Sequence, residues 1–109
     1  MMDYLKDYNI DDDQINEIVF ELKKNKVNVD LFKFDPEKIV SILDLFKEIG
    51  VTNFYDIIIT SPSMFCDTFK SIKTRIDNYG DKSELARLIN LDANNLIIAD
   101  LMWFFKYDS

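Results

Sequence analysis

The chain contains no histidine, one cysteine, two glycines and two prolines. Without imidazole there is no Ser-His-Asp triad and no histidine-ligated metal. Cys66 has no second thiol with which to close a disulfide and no histidine to take its proton, so a thiolate nucleophile is not expected. It follows Phe65 on an apolar stripe, and small buried packing is the expected role. Two isolated glycines cannot build a phosphate-cradling loop. No apolar stretch reaches the roughly 20 residues that cross a bilayer, so a membrane is not an expected partner. No basic-then-apolar leader opens the chain. The single cysteine fits a reducing compartment, and a cytoplasmic location is the expectation.

Positive charge is scarce as well. Thirteen Lys and Arg stand against 20 Asp and Glu, for a formal net charge of -7. Phosphate backbones are bound by displacing counterions with cations, so nucleic acid is not the expected partner. The imbalance is concentrated early: residues 1–65 carry 13 acids and 7 bases, residues 66–109 carry 7 and 6. Asp11, Asp12 and Asp13 form the densest acidic group. A calcium loop needs acids at alternate positions, then glycine, and neither condition holds. The three aspartates suit the positive end of a helix instead. No metal or other cofactor is expected, and no catalytic centre.

Apolar residues make up 48% of the chain, including nine Phe, five Tyr and one Trp, enough for a core without staples. Their spacing is helical. Asp35, Pro36 and Glu37 read as a cap, a first-turn proline and a first-turn acid. Ile39, Ile42, Leu43, Phe46 and Ile49 then recur at three and four, and Gly50 suits the left-handed end. Asn53 is expected to cap a short helix that Ser61 and Pro62 stop. Ser61 would cap the next helix, which runs unbroken through Phe65, Phe69, Ile72, Ile76 and Tyr79 to Gly80. Asp81 with Glu84 resembles a capping box. Asp92 caps a last helix through Leu96, Ile97, Leu101 and Phe104. Towards the N-terminus, Met2 to Tyr8 form a short helix and Asp11 opens a better one with Ile15, Ile18, Val19 and Leu22. Residues 26–34 alternate like a strand at Val27, Val29 and Leu31 but lack a partner strand, and a loop with one helical turn is expected. The fold class is all-α, one domain over residues 1–109, with six to seven alternating long and short helices in a compact bundle or short repeat array.

The two glycines lie 30 residues apart and their surroundings align at that offset. Ile39, Ile42, Phe46 and Ile49 match Phe69, Ile72, Ile76 and Tyr79. Tyr55, Ile58 and Ile59 match Leu85, Leu88 and Ile89. This defines candidate repeat units 36–65 and 66–95. The stretch FKEIGVTNFYDIIITSPSMF (Phe46–Phe65) resembles the repeat of the mitochondrial transcription termination factor family. There a long helix ends at Leu-Gly, a short helix follows and a proline opens the next. Ile49-Gly50, the short helix and Pro62 match. The second copy keeps Tyr79-Gly80 but has Asp92 where proline would stand. The resemblance covers residues 36–96 and implies a helical-repeat architecture. Family members bind nucleic acid through basic grooves, a property that an acidic chain of this length does not match.

Two surfaces remain as candidate sites. Lys70, Lys73, Arg75, Lys82 and Arg87 could line one edge of a repeat, although Asp67, Asp77, Asp81 and Glu84 are interspersed. The stretch LIIADLMWFFKY (Leu96–Tyr107) is apolar nearly all round. Its Met102, Trp103, Phe105 and Tyr107 form a candidate protein interface, since such residues are enriched at interfaces. The functional expectation is a non-enzymatic protein-interaction module whose partner is another protein or a second copy. The alternatives are an acidic phage or mobile-element inhibitor that decoys a nucleic-acid-binding protein, and a nucleic-acid-binding helical repeat.

Overall fold

The computed structural model describes residues 2–102. Short polar side chains start most of its helices. Asp11 accepts a hydrogen bond from Gln14 N (2.8 Å) while Gln14 Oε1 accepts from Asp11 N (3.0 Å), a complete capping box at the head of α1 (Asp12–Lys24). Asn28 caps α2 (Val29–Phe34) and Asp35 caps α3 (Pro36–Ile49). Thr68 caps α5 (Phe69–Tyr79), and Asp81 caps α6 (Lys82–Leu91). A shorter helix, α4 (Phe54–Thr60), lies between α3 and α5. Three segments are wound as 3-10 helices: η1 (Asp3–Tyr8), η2 (Pro62–Cys66) and η3 (Ala93–Ala99). Among the described residues there is no strand, as the three-four periodicity requires.

One apolar cluster holds these elements together. α3 lies at its centre and packs on α2, α5 and α6. Ile39, Ile42, Leu43 and Phe46 of α3 are fully buried, each contributing about 1.5–3 kcal/mol by leaving water. Phe32 of α2 and Phe65 of η2 meet at 5.5 Å between ring centroids. α1 packs on α2 and α4, and η3 lies across α4, α5 and α6. The radius of gyration is 13.1 Å, against about 13 Å for a compact chain of 100 residues. The expected all-α class is therefore realised as a compact bundle.

η1 is strapped to this bundle by two tyrosine hydroxyls. Tyr4 donates to the Phe32 carbonyl (2.7 Å) and Tyr8 to Asp44 Oδ1 (2.6 Å). The Tyr8 ring also meets Phe54 edge-on at 5.1 Å. Desolvation raises both phenol pKa values well above the ordinary range, reinforced at Tyr8 by the hydrogen bond to Asp44.

Several local expectations are corrected. The helix expected to run unbroken from Pro62 to Tyr79 is two elements. Asp67 Oδ1 accepts from Thr68 N (2.7 Å), Thr68 Oγ1 from Ser71 N (3.1 Å), and Asp67 Oδ2 from Ser71 Oγ (2.8 Å). These side chains capture the backbone and restart the helix at Phe69. Ser61 does not cap; it is buried, with its hydroxyl donating to the Leu101 carbonyl (3.3 Å). Asn53 does not cap either; its Nδ2 donates to Ile89 O (2.8 Å) across the bundle. The loop and helical turn expected over residues 26–34 are present, as a turn with Lys26 in the left-handed region (φ 60°) followed by the six-residue helix Val29–Phe34. The last expected helix stops at Asp100, which is itself left-handed (φ 58°). Together these elements are six α-helices and three short 3-10 helices among the described residues.

The two long helices end as expected at glycines with positive φ, 111° at Gly50 and 96° at Gly80. The surroundings of the two copies differ. Gly80 leads directly into the cap Asp81, whereas Val51 and Thr52 separate Gly50 from Asn53. α6 packs against α5, while α4 packs against α1 and η3. The Gly50 turn is held by α6 instead: Asn90 Nδ2 donates to Gly50 O (3.0 Å) and its Oδ1 accepts from Thr52 N (2.9 Å).

Candidate interaction surface

η3 has a period of three residues, so successive side chains form three ridges. Ala93, Leu96 and Ala99 form the buried ridge. The two alanines lack side-chain bulk, which lets the helix lie close to α4, α5 and α6. The other ridges carry Ile97 and Ile98, which are 59% and 48% exposed. Leu91, at the end of α6, is 70% exposed. Three large aliphatic side chains thus face solvent within one eight-residue stretch. Ile98 also lines a cleft of about 350 Å³ with Tyr79, Asn78, Arg75, Ala99 and Asp100.

Asp100 then turns the chain back. Its N–H bonds to Ile97 O (3.1 Å), and the next residue, Leu101, is buried with its N–H on Leu96 O (2.9 Å). Of the residues assigned to an interface from the sequence, Met102 is half-buried and packs against the core. Trp103, Phe105 and Tyr107 lie outside the described residues. The exposed apolar groups that sequence reasoning passed over are Ile97 and Ile98. Their signal was present in the apolar run, but helical spacing assigned Ile97 to the core.

Most of the candidate basic edge is internally compensated. Lys73 and Lys82 both grip Asp77 (2.8 Å each). Arg87 forks onto Glu84 through two hydrogen bonds of 2.7 Å. Arg75 lies 3.8 Å from Asp67, 3.9 Å from the Asp100 carboxylate, and donates to the Asp100 carbonyl (3.2 Å). These contacts hold the Asp77 and Glu84 carboxyls below their ordinary pKa. Lys70 is exposed on the same element and forms no ion pair among the described residues.

Cys66 is exposed rather than packed. It closes η2, where the helix expected to bury it breaks. Its thiol pKa is raised by desolvation from the surrounding chain, partly offset by Lys38, whose Nζ donates to the Cys66 carbonyl (3.3 Å). The arrangement favours an inert thiol. Among the described residues no three Cys, Asp or Glu side chains come together in a way that could hold a metal ion, and no helix is long and apolar enough to cross a membrane.

Comparison with protein-family models, curated proteins and solved structures finds no match for this chain.

Proposed function

We propose that this chain is a non-enzymatic protein-interaction module that docks through the surface of η3. The supporting observation is the exposure of Ile97 and Ile98 beside the packed ridge of η3, with Leu91 exposed at the adjoining end of α6. Large exposed apolar patches mark binding sites, and three large aliphatic side chains face solvent within eight residues here. The aromatic sequence that follows Met102 supplies further groups of the type that anchor interfaces. The ion pairing of Lys73, Arg75, Lys82 and Arg87 counts against the same half of the chain serving as a phosphate-binding edge.

Sedimentation and light scattering of the wild type against an Ile97→Ser, Ile98→Ser double variant test the reading. A mass that rises with concentration in the wild type alone assigns a second copy as partner. A constant mass, with a binding protein from the native host retained by the wild type and lost by the variant, assigns another chain. A domain that stays monomeric and retains the same proteins with or without the two isoleucines overturns the proposal.

A further inference from the structure

Asp100 ends η3 and is also a wall of the cleft of about 350 Å³ between α5 and η3, which Arg75, Asn78, Tyr79, Ile98 and Ala99 line with it. The chain is pinned at this corner. Arg75 donates to the Asp100 carbonyl (3.2 Å), Leu101 N–H to Leu96 O (2.9 Å), and Ser61 Oγ to Leu101 O (3.3 Å). Leu101 is buried and Met102 packs against the core. The next residues in sequence are Trp103, Phe104 and Phe105. Three residues of chain span at most about 11 Å, so Trp103 is tethered within that reach of the cleft wall.

The lining suits an indole. Ile98 presents an apolar face and is 48% exposed. Tyr79 supplies a ring for edge or offset contact, and the planar guanidinium of Arg75 is of the kind that stacks on aromatic faces. Asn78 and Asp100 carry side-chain oxygens, and an indole N–H needs an acceptor once it leaves water. A tether this short holds the ring at an effective concentration of about millimolar, so weak contacts suffice. We infer that Trp103 folds back into the α5–η3 cleft of its own chain, its ring on Ile98 and Tyr79 and its N–H toward the oxygens of Asn78 or Asp100. Ile98 belongs to the η3 face as well. The consequence, which rests on the docking proposal above, is that the indole covers part of that face and a partner must displace it.

Trp103 is the single tryptophan of the chain, so its fluorescence reports the contact without a label. In the full chain, emission is expected to lie to the blue of that in urea, with weaker quenching by acrylamide, and to be independent of protein concentration. Ile98→Ser should move both readings toward the urea values. Ile97→Ser, on a ridge outside the cleft, should leave both unchanged. Both substitutions fall on exposed side chains that the fold does not need, and circular dichroism checks that it is kept. A wild type already at the urea values overturns the assignment, as does the same response, or none, to the two substitutions. Protection that grows with protein concentration overturns it too, because the indole then sits on a second copy, while the η3 docking proposal stands. None of these readings needs a partner, so in-chain docking of Trp103 can hold where the docking of another protein fails.

Discussion

Gly50 and Gly80 are legible in the sequence because nothing else ends a helix so economically, yet their surroundings differ. A Cβ on Gly50 would meet Ala86 Cβ at 3.7 Å, an ordinary contact, and one on Gly80 would meet nothing within 4 Å. Space is therefore not the constraint; the backbone is. Gly50→Ala is expected to cost about 1–2 kcal/mol from its positive φ alone. Gly80→Ala should cost at least as much, because φ 96° with ψ -80° lies outside the left-handed helical basin. Urea denaturation of both variants checks this, and a neutral Gly80→Ala would refute the backbone argument. Tyr4 and Tyr8 make a second prediction at this scale. A raised phenol pKa means the folded state keeps a proton that the unfolded chain releases near pH 10. Their contribution is thus complete below about pH 10 and is lost as pH rises above it. Thermal unfolding across alkaline pH should show that decline, reduced in a Tyr4→Phe, Tyr8→Phe variant.

At the scale of elements, apolar spacing placed α1, α3, α4 and α6 near their true positions, read the region of α2 as strand-like alternation, and failed where a turn carries the same spacing as a helix. Phe65 and Phe69 are four apart and satisfy a helical stripe, yet the chain breaks between them and leaves Phe69 41% exposed. The signal for the break was the Asp67, Thr68, Ser71 set, residues that hydrogen-bond locally and compete with the helix. η3 was misread for a related reason. Its period is three, and Ala93, Leu96 and Ala99 suit that period better than Leu96, Ile97 and Leu101 suit an α-helix. The candidate surface was half visible in consequence: the surplus of apolar residues near the C-terminus could be read, but which of them face water depends on the winding of the helix. Ala99→Leu should therefore overpack the junction with α4, α5 and α6 and cost about 1–3 kcal/mol. Ile98→Ser, on an exposed ridge, should stay within about 0.5 kcal/mol of wild type. Thermal denaturation of the pair decides between this ridge assignment and an ordinary α-helix.

At the scale of the whole molecule, the all-α class and an adequate core followed from composition and periodicity, whereas the ties that close the bundle did not. Those ties are single polar side chains reaching far along the chain. Tyr4 reaches residue 32 and Tyr8 residue 44, spanning 28 and 36 positions, while Asn90 and Ser61 each span 40 to reach Gly50 and Leu101. No local pattern announces such a bond, because both ends look like ordinary surface or turn residues. The tyrosine straps also bear on time. Helices α3, α5 and α6 bury the central core, whereas η1 is tied to it from outside by two hydroxyls, so a folding order in which the core associates first and η1 docks afterwards is the expectation tested below. A strap made late in folding governs escape more than arrival. Tyr8→Phe is thus expected to leave the refolding rate nearly unchanged and to quicken unfolding by about fivefold for each kcal/mol lost, as stopped-flow would record. By holding η1 to α3, the Tyr8 hydroxyl then sets how long a molecule stays folded rather than how quickly it gets there.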